Sequence, residues 1–420
     1  MPHVLLAVGA VSLLLAVNAR RPPRGAMSAV PGFFAGWLSI EMAPHLLVLE
    51  IVGLGWAAAA GGLDDWAGWI GLALGLAGLT GTIGTITASR RTAATLRASG
   101  VPTDPDPQVS SRYPLSHLVL PPLCLIPRRG VHVDRNVVFR QDGRLRLKLD
   151  VYRPKEPQPD GRLRPGLMEI HGGAWVIGDK REQGLPLLNH MALQGWIGFN
   201  VNYRLSPRAT WPDHLLDLKQ FLRWYRAHAE EYGADPDFLC VTGGSAGGHL
   251  AAMVALTANV PEFQPGFEDV DTSVQGAVPI YGVYDFLEPG PWPVPFGKTA
   301  LLQKRVLKRS FAEDRDSFAK ASPVTYLRAD APPFLVIHGS HDSLIPVLEA
   351  RRFVDKLRDA SDAPVLYAEL QGAQHAFDVF PSYRTARVVE GIGRHLSDLH
   401  GQYNQRRRPP TPDEVDESVG

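Results

Sequence analysis

Three long apolar stretches open the chain: Val4 to Val17, Phe33 to Ala60 and Trp66 to Ala88. The third holds no charged residue and exceeds the roughly 20 apolar residues that cross a bilayer core. Further along, the rhythm changes to short apolar runs. Val131 to Phe139 and Leu145 to Tyr152, joined by Asp142-Gly143, read as a β-hairpin. Gly166 to Ile170, Trp196 to Asn202, Phe238 to Thr242, Val274 to Ile280, Phe334 to His338 and Val365 to Leu370 read as further strands. Amphipathic spacing predicts helices over Pro212 to Tyr232, Ser245 to Ala258, Pro346 to Arg358 and Thr385 to Leu399. Such alternation implies an α/β fold: a mostly parallel sheet with helices on both faces, opened by an antiparallel hairpin. On that sheet, chemistry belongs at the carboxyl ends of the strands.

Charge then divides the chain. Residues 1–89 carry only Arg20, Arg21, Arg24, Glu41, Glu50, Asp64 and Asp65, so residues 1–98 are expected to be a transmembrane region of about three helices. Val4 to Val17 is short enough for the core of a signal peptide ending at Val17-Asn18-Ala19. Its arginines follow rather than precede it, which favours a reverse-oriented anchor. Short-loop arginines stay in the cytoplasm. The Arg20 to Arg24 loop and the Arg90, Arg91 and Arg97 segment are therefore expected inside, together with everything after residue 90, and Asp64 and Asp65 outside. Glu41 and Glu50 face the bundle or recognise something polar, and Gly71, Gly75 and Gly78 offer small-residue helix packing. Residues 99–127 read as a Pro-rich linker, 128–400 as the catalytic domain and 401–420 as a disordered tail.

Composition removes other classes. Over 420 residues, 43 basic side chains balance 43 acidic ones, so no domain-wide basic footprint for nucleic acid exists. Cys124 and Cys240 cannot build a disulfide framework or a four-cysteine zinc site. No metal or organic cofactor is expected.

The candidate chemistry sits between the strands. Phe238 to Thr242 runs into Gly243-Gly244-Ser245-Ala246-Gly247-Gly248 and then a helix former. This is G-x-S-x-G in the strand, sharp turn, helix context that pushes a serine hydroxyl out above a sheet. A serine at its free pKa needs a base and a group to orient that base. Asp342 follows the Phe334 to His338 strand and His375 follows the Val365 to Leu370 strand, giving the order Ser245, Asp342, His375 of an α/β-hydrolase triad. His338 and His341 are read as supporting residues. His171-Gly172-Gly173-Ala174-Trp175 follows another strand. The N–H groups of Gly172 and Gly173, with that of Ala246, suit an oxyanion hole.

These motifs, with Asn202-Tyr203-Arg204-Leu205-Ser206-Pro207 and His375-Ala376-Phe377, resemble those of the hormone-sensitive-lipase-like esterases of the α/β-hydrolase superfamily. With the apolar N-terminal region, the chain looks most like the membrane-associated lipase/esterases of actinobacteria. The resemblance covers roughly Val131 to Leu399 and implies hydrolysis of a lipophilic carboxylic ester through an acyl-enzyme on Ser245. Two departures stand out: Gly244 where the family often has Asp, and HGGA where it has HGGG. With Gly178-Asp179-Lys180 they also resemble kynurenine-formamidase-like members, which leaves formamide or amide cleavage open. From another class comes a membrane scaffold with a silent hydrolase domain, which would not need Ser245, Asp342 and His375 together. Trp175, Tyr203 and Trp292 are candidate pocket residues, although Tyr203 and Arg204 also read as a turn bracing the sheet. Leu287 to Pro332 falls where the fold accepts an insertion, as part of an acyl-binding wall or lid, or as an ordinary crossover. Oligomeric state is not legible.

Overall fold

The structure, a computed structural model, describes residues 1–25, 27–102, 129–156, 158, 161–287 and 297–407. Among the described residues, eight strands form one sheet: β1 (Val131–Asp142), β2 (Leu145–Pro154), β3 (Arg164–Ile170), β4 (Ile197–Val201), β5 (Ala234–Gly244), β6 (Gly276–Ile280), β7 (Phe334–Gly339) and β8 (Val365–Leu370). Their spatial order is β1-β2-β4-β3-β5-β6-β7-β8. β2 pairs antiparallel with both β1 and β4, and every other pairing is parallel. Strands covered on both faces read as unbroken apolar runs, which is why β4, β6 and β7 were legible as short blocks.

The hairpin, the parallel sheet and all four predicted helices are present. Helices interspersed with and following the strands are α6 (Leu185–Leu193), α7 (Asp213–His228), α8 (Ala246–Leu256), α9 (Gly297–Leu301), α10 (Arg315–Lys320), α11 (Val347–Ala360) and α12 (Tyr383–Arg406). α6 has no counterpart in the sequence reading. All but its last residue are buried, so it lacks the polar face that produces a helical period. α12 continues past the expected boundary at residue 400, because Tyr403 packs edge-on against Phe238 at 4.8 Å. The expected linker falls largely on residues 103–128, and the tail on 408–420, both outside the described residues. So does the Pro- and Trp-rich part of the expected lid, residues 288–296.

The N-terminal region forms α1 (Pro2–Arg20), α2 (Ala29–Gly36), α3 (Ala43–Ala57), α4 (Trp66–Arg90) and α5 (Thr92–Ala98). Among the described residues, three helical stretches are long and apolar enough to cross a membrane: Pro2–Arg20, Ala43–Gly62 and Trp66–Ala98. α1 and α4 run parallel. A Cβ on Gly71 would meet Leu5 backbone at 2.5 Å, and one on Gly78 would meet Ser12 backbone at 2.7 Å, the close approach that small residues allow. Arg20 reaches Gly84, so the arginine-bearing ends of both helices lie together. Glu50, inside the second span, is buried and accepts from Ser12 Oγ at 2.8 Å.

The second apolar stretch needs correcting. Residues expected to span from Phe33 onwards instead form the end of α2 and a π-helical turn, Trp37–Glu41, before the helix of spanning length begins at Ala43. Glu41 explains the break. Its carboxylate accepts from Arg384 Nε at 3.0 Å and Ser382 Oγ at 2.6 Å, both in or beside α12. The segment thereby turns onto the catalytic domain, and Pro44 starts the next helix where a missing N–H costs nothing.

Tyr203 and Arg204 brace the sheet as the bland reading held. Asp217 on α7 is fully buried and accepts from Arg204 N at 2.9 Å and Arg204 Nε at 2.8 Å, with Arg140 of β1 as a further partner. Removing one side of a buried pair costs about 3–5 kcal/mol, because the other charges lose their partner. Asp217→Ala is therefore expected to lower the thermal midpoint of the purified protein by several degrees. An unchanged melting curve would show that the pair contributes nothing.

Candidate active site

Ser245 lies between the last residue of β5 and the first of α8, as the helix N-cap, with φ 60° and ψ −119°. This left-handed backbone costs a non-glycine residue of order 1–3 kcal/mol and persists only when its surroundings impose it. The Ser245 N–H donates to Ile280 O at 3.0 Å, tying the elbow to the end of β6. A side chain on Gly247 would collide with the Ile170 carbonyl at the end of β3. Ser245 is the partly exposed residue in the otherwise buried run 241–250.

Gly244, the departure from the family pattern, has a local cause. A Cβ there would lie 2.7 Å from Cε2 of Tyr281, whose ring fills the space beside the elbow. The same ring sits 4.7 Å from the His375 ring between centroids. Ser245 and His375 therefore flank the end of β6.

Asp342 and His375 come together as expected: Nδ1 of His375 lies 2.7 Å from Oδ2 of Asp342. Asp342 Oδ1 accepts the N–H groups of Leu344 at 2.9 Å and Ile345 at 2.7 Å. His338 Nε2 stands 3.3 Å from Oδ2 and 3.1 Å from the Ile345 carbonyl. His341 faces away and contacts the Ala19 carbonyl at the end of α1, 3.0 Å from its Nδ1. Burial by itself would push the Asp342 carboxyl up, but the charge and hydrogen bonds of His375 and His338 outweigh it and hold the group well below the usual carboxylate range.

One residue that sequence reasoning missed joins the two loops. Gln374 is fully buried, and its Oε1 accepts from Ser343 N at 2.7 Å and from His375 N at 2.9 Å. A buried amide beside a histidine has no periodicity to betray it. Beyond Tyr281, Asp378 accepts from the Tyr281 hydroxyl. Burial raises the Asp378 carboxyl and pushes that of Glu169 on β3 well above its usual range, with the Asp378 charge adding to the latter.

The glycine loop after β3 is only partly as expected. Gly172 approaches the elbow so closely that a Cβ would lie 2.6 Å from Gly244 O, but its N–H already donates to Gln183 Oε1 at 2.8 Å. Gly173 has φ +112° and its carbonyl accepts from Val176 and Ile177, while Ala246 is the first residue of α8. Of the three expected pocket residues, Trp175 and Tyr203 are core pillars. Trp175 is 1% exposed and donates through Nε1 to His249 Nδ1 at 3.2 Å. Tyr203 stacks on His171 at 4.5 Å and donates to the His171 carbonyl at 3.0 Å. Both side chains pack into the protein because the loop they support has left-handed backbone at Gly173, Ala174 and Trp175. Trp292 lies outside the described residues. Among the described residues, no three His, Cys, Asp or Glu side chains converge as metal ligands would.

Sheet order, serine elbow and acid–histidine pair together define an α/β-hydrolase. The family profile BD-FAE matches residues 149–357. The chain is 48% identical over 278 residues to "Probable carboxylic ester hydrolase LipM" of Mycobacterium tuberculosis, covering 66% of this chain and 63% of that protein. It is 41% identical over 281 residues to "Esterase LipC" of the same organism, covering 67% and 69%. Among solved structures, Thermogutta terrifontis esterase 2 with propionate bound superposes with a TM-score of 0.52 at 25% identity, over 67% of this chain and 97% of that one. The chain belongs to the hormone-sensitive-lipase-like esterases of actinobacteria, alongside these mycobacterial proteins. It spans just under two thirds of the length of LipM, and of a further relative from Mycobacterium tuberculosis, "Esterase LipQ", to which it is 42% identical over 278 residues.

The depressed value at Asp342 sets a pH dependence. Its ionisation contributes stability that is present above the ordinary carboxylate range, about pH 4, and is lost as pH falls towards the folded value. The gap in thermal midpoint between wild type and Asp342→Asn is expected to stay constant from about pH 7 to about pH 5 and to shrink as the buffer is taken below about pH 4. A gap independent of pH would mean that Asp342 is not the ionised partner of these histidines.

Proposed function

We propose that the protein is a membrane-anchored serine carboxylesterase acting on a lipophilic ester. The observation that carries this reading is the 2.7 Å contact between His375 Nδ1 and Asp342, held at the strand ends beside a serine in the strained elbow. Ser245 Oγ attacks the ester carbonyl while His375 Nε2 takes its proton. Asp342 keeps the ring in the tautomer that leaves Nε2 able to accept, and stabilises the imidazolium that forms. The N–H groups of Gly173 and Ala246 receive the oxyanion, a contribution of about 2.7–4 kcal/mol for a single well-placed donor. Collapse of the tetrahedral intermediate breaks the C–O bond, and His375 returns the proton to the departing alcohol. Water, deprotonated by the same ring, then attacks the acyl-enzyme and frees Ser245.

Names of relatives support the ester bond: they are described as a carboxylic ester hydrolase and as esterases. The membrane part of the reading rests on three helices of spanning length and hydropathy. Arg20 and Arg90 end α1 and α4, and the α1 end bearing Arg20 meets the catalytic domain at His341. Arginine-rich ends resist translocation, so the catalytic domain is placed by this reading in the cytoplasm.

Ser245→Ala is expected to abolish hydrolysis of p-nitrophenyl esters and labelling by a fluorophosphonate without changing the melting curve. Asp342→Asn should lower kcat by ~10⁴, as the equivalent change does in a serine protease triad. Full labelling of the alanine variant would remove Ser245 from the mechanism, and a loss below about tenfold in the asparagine variant would remove Asp342.

A further inference from the structure

The His375 side of the site is walled by the N-terminal region rather than by the hydrolase fold. The Phe33 ring stands edge-on to the His375 ring with centroids 6.0 Å apart. Trp37 Nε1 donates to the His375 carbonyl at 3.4 Å. Gly36 lies over Gln374, where a Cβ would come 3.1 Å from Cγ of that side chain. From Phe33 the aromatic surface runs outward: Phe33 to Phe34 at 5.0 Å, Phe34 to Trp37 at 5.3 Å, and Trp37 to Phe380 at 5.2 Å. Phe34 is 55% exposed. Among the described residues, the Phe34 ring packs on Phe33 and Trp37 and leaves its other face exposed.

Reaction chemistry fixes which half of an ester would meet this surface. The imidazole that takes the serine proton must return it to the leaving oxygen. The alcohol half therefore lies on the His375 side of Ser245, and the acyl half points away from it. No charged side chain belongs to the Phe33, Phe34 and Trp37 cluster itself, so it offers no grip to a phosphate or sugar. An alkyl chain is different: each methylene buried against such a surface strengthens binding about fourfold. The cluster also sits where the chain enters and leaves the spanning helices, between Arg20 at the end of α1 and Ala43 at the start of α3. A chain resting in the adjoining leaflet would have its end at this wall.

Building on the serine-esterase reading, we propose that Phe33, Phe34 and Trp37 form the alcohol-side wall of the site, and that the substrate is a bilayer-resident ester of a long-chain alkyl alcohol. Specificity for the alcohol is then set by the membrane region and not by the catalytic domain.

The test uses the full chain reconstituted in phosphatidylcholine vesicles and a series of acetate esters from ethyl to hexadecyl, with released acetate measured. For the wild type, kcat/KM is expected to rise with alcohol length. In Phe34→Ala, the ratio of kcat/KM for hexadecyl acetate to that for ethyl acetate should fall at least tenfold, and Phe34→Leu, which keeps an apolar wall, should restore most of it. A ratio unchanged in Phe34→Ala, or a wild-type series flat with alcohol length, would overturn the proposal. Fluorophosphonate labelling of wild-type Ser245 reports the esterase reading separately, so a labelled enzyme with a flat alcohol series sinks only the wall.

Discussion

Holding Ser245 at a φ of 60° requires the ends of three strands to approach more closely than side chains permit. The Ile170 carbonyl of β3 sits where a Cβ of Gly247 would be, and β6 accepts the Ser245 N–H. Only neighbouring parallel strands ending at the same level bring carbonyls into such a cluster, which is why β3, β5 and β6 lie side by side although β4 intervenes in the chain. The elbow and the sheet order are one constraint. Gly172 belongs to it as well, since the loop after β3 has to pass within contact of the elbow. The close approach of the glycine loop to the serine is thus a consequence of how the strain is held.

The other half of the site answers to a different requirement, a carboxylate without solvent. Asp342 is ionised and buried, and a charge in that position is tolerated only with its lone pairs satisfied. Two backbone N–H groups and two histidines do so. Those partners come from β7, its following loop and the loop after β8, so satisfying one carboxylate aligns three pieces of chain. Gln374 repeats the device with a neutral amide. Ser245 is positioned by the sheet and His375 by loops, and the loops are what the N-terminal region touches.

Legibility followed the same division. Strands buried on both faces and the Ser, Asp, His order could be read because each leaves a local signature: an unbroken apolar run, or a reactive residue just beyond one. Gln183, Gln374 and Tyr281 left none, since their roles depend on which loops meet. Trp175 and Tyr203 looked like pocket residues because they follow the right strands; only burial shows them turned inward. The span beginning at Phe33 was misjudged for a related reason. Hydropathy cannot distinguish an aromatic residue facing lipid from one facing a histidine, and Glu41 finds its partner more than 340 residues away.

That partner also explains why the bundle sits on the catalytic domain in one way. Apolar faces slide past one another at little cost, and Phe33, Leu96 and Val101 join an apolar cluster with residues of β7, β8 and α12. Glu41 and Arg384 are each about 1% exposed at their side chains. A shift of one helical turn would leave both charges buried and unpaired, a loss of about 3–5 kcal/mol. The pair therefore contributes little net attraction but selects one register. Arg384 also donates through Nη1 to the Gln371 carbonyl at 2.9 Å, in the loop that leads from β8 to His375. Register between bundle and domain is thus transmitted to the loop that carries His375, and any displacement of the helices would be felt at the imidazole before it reached the serine.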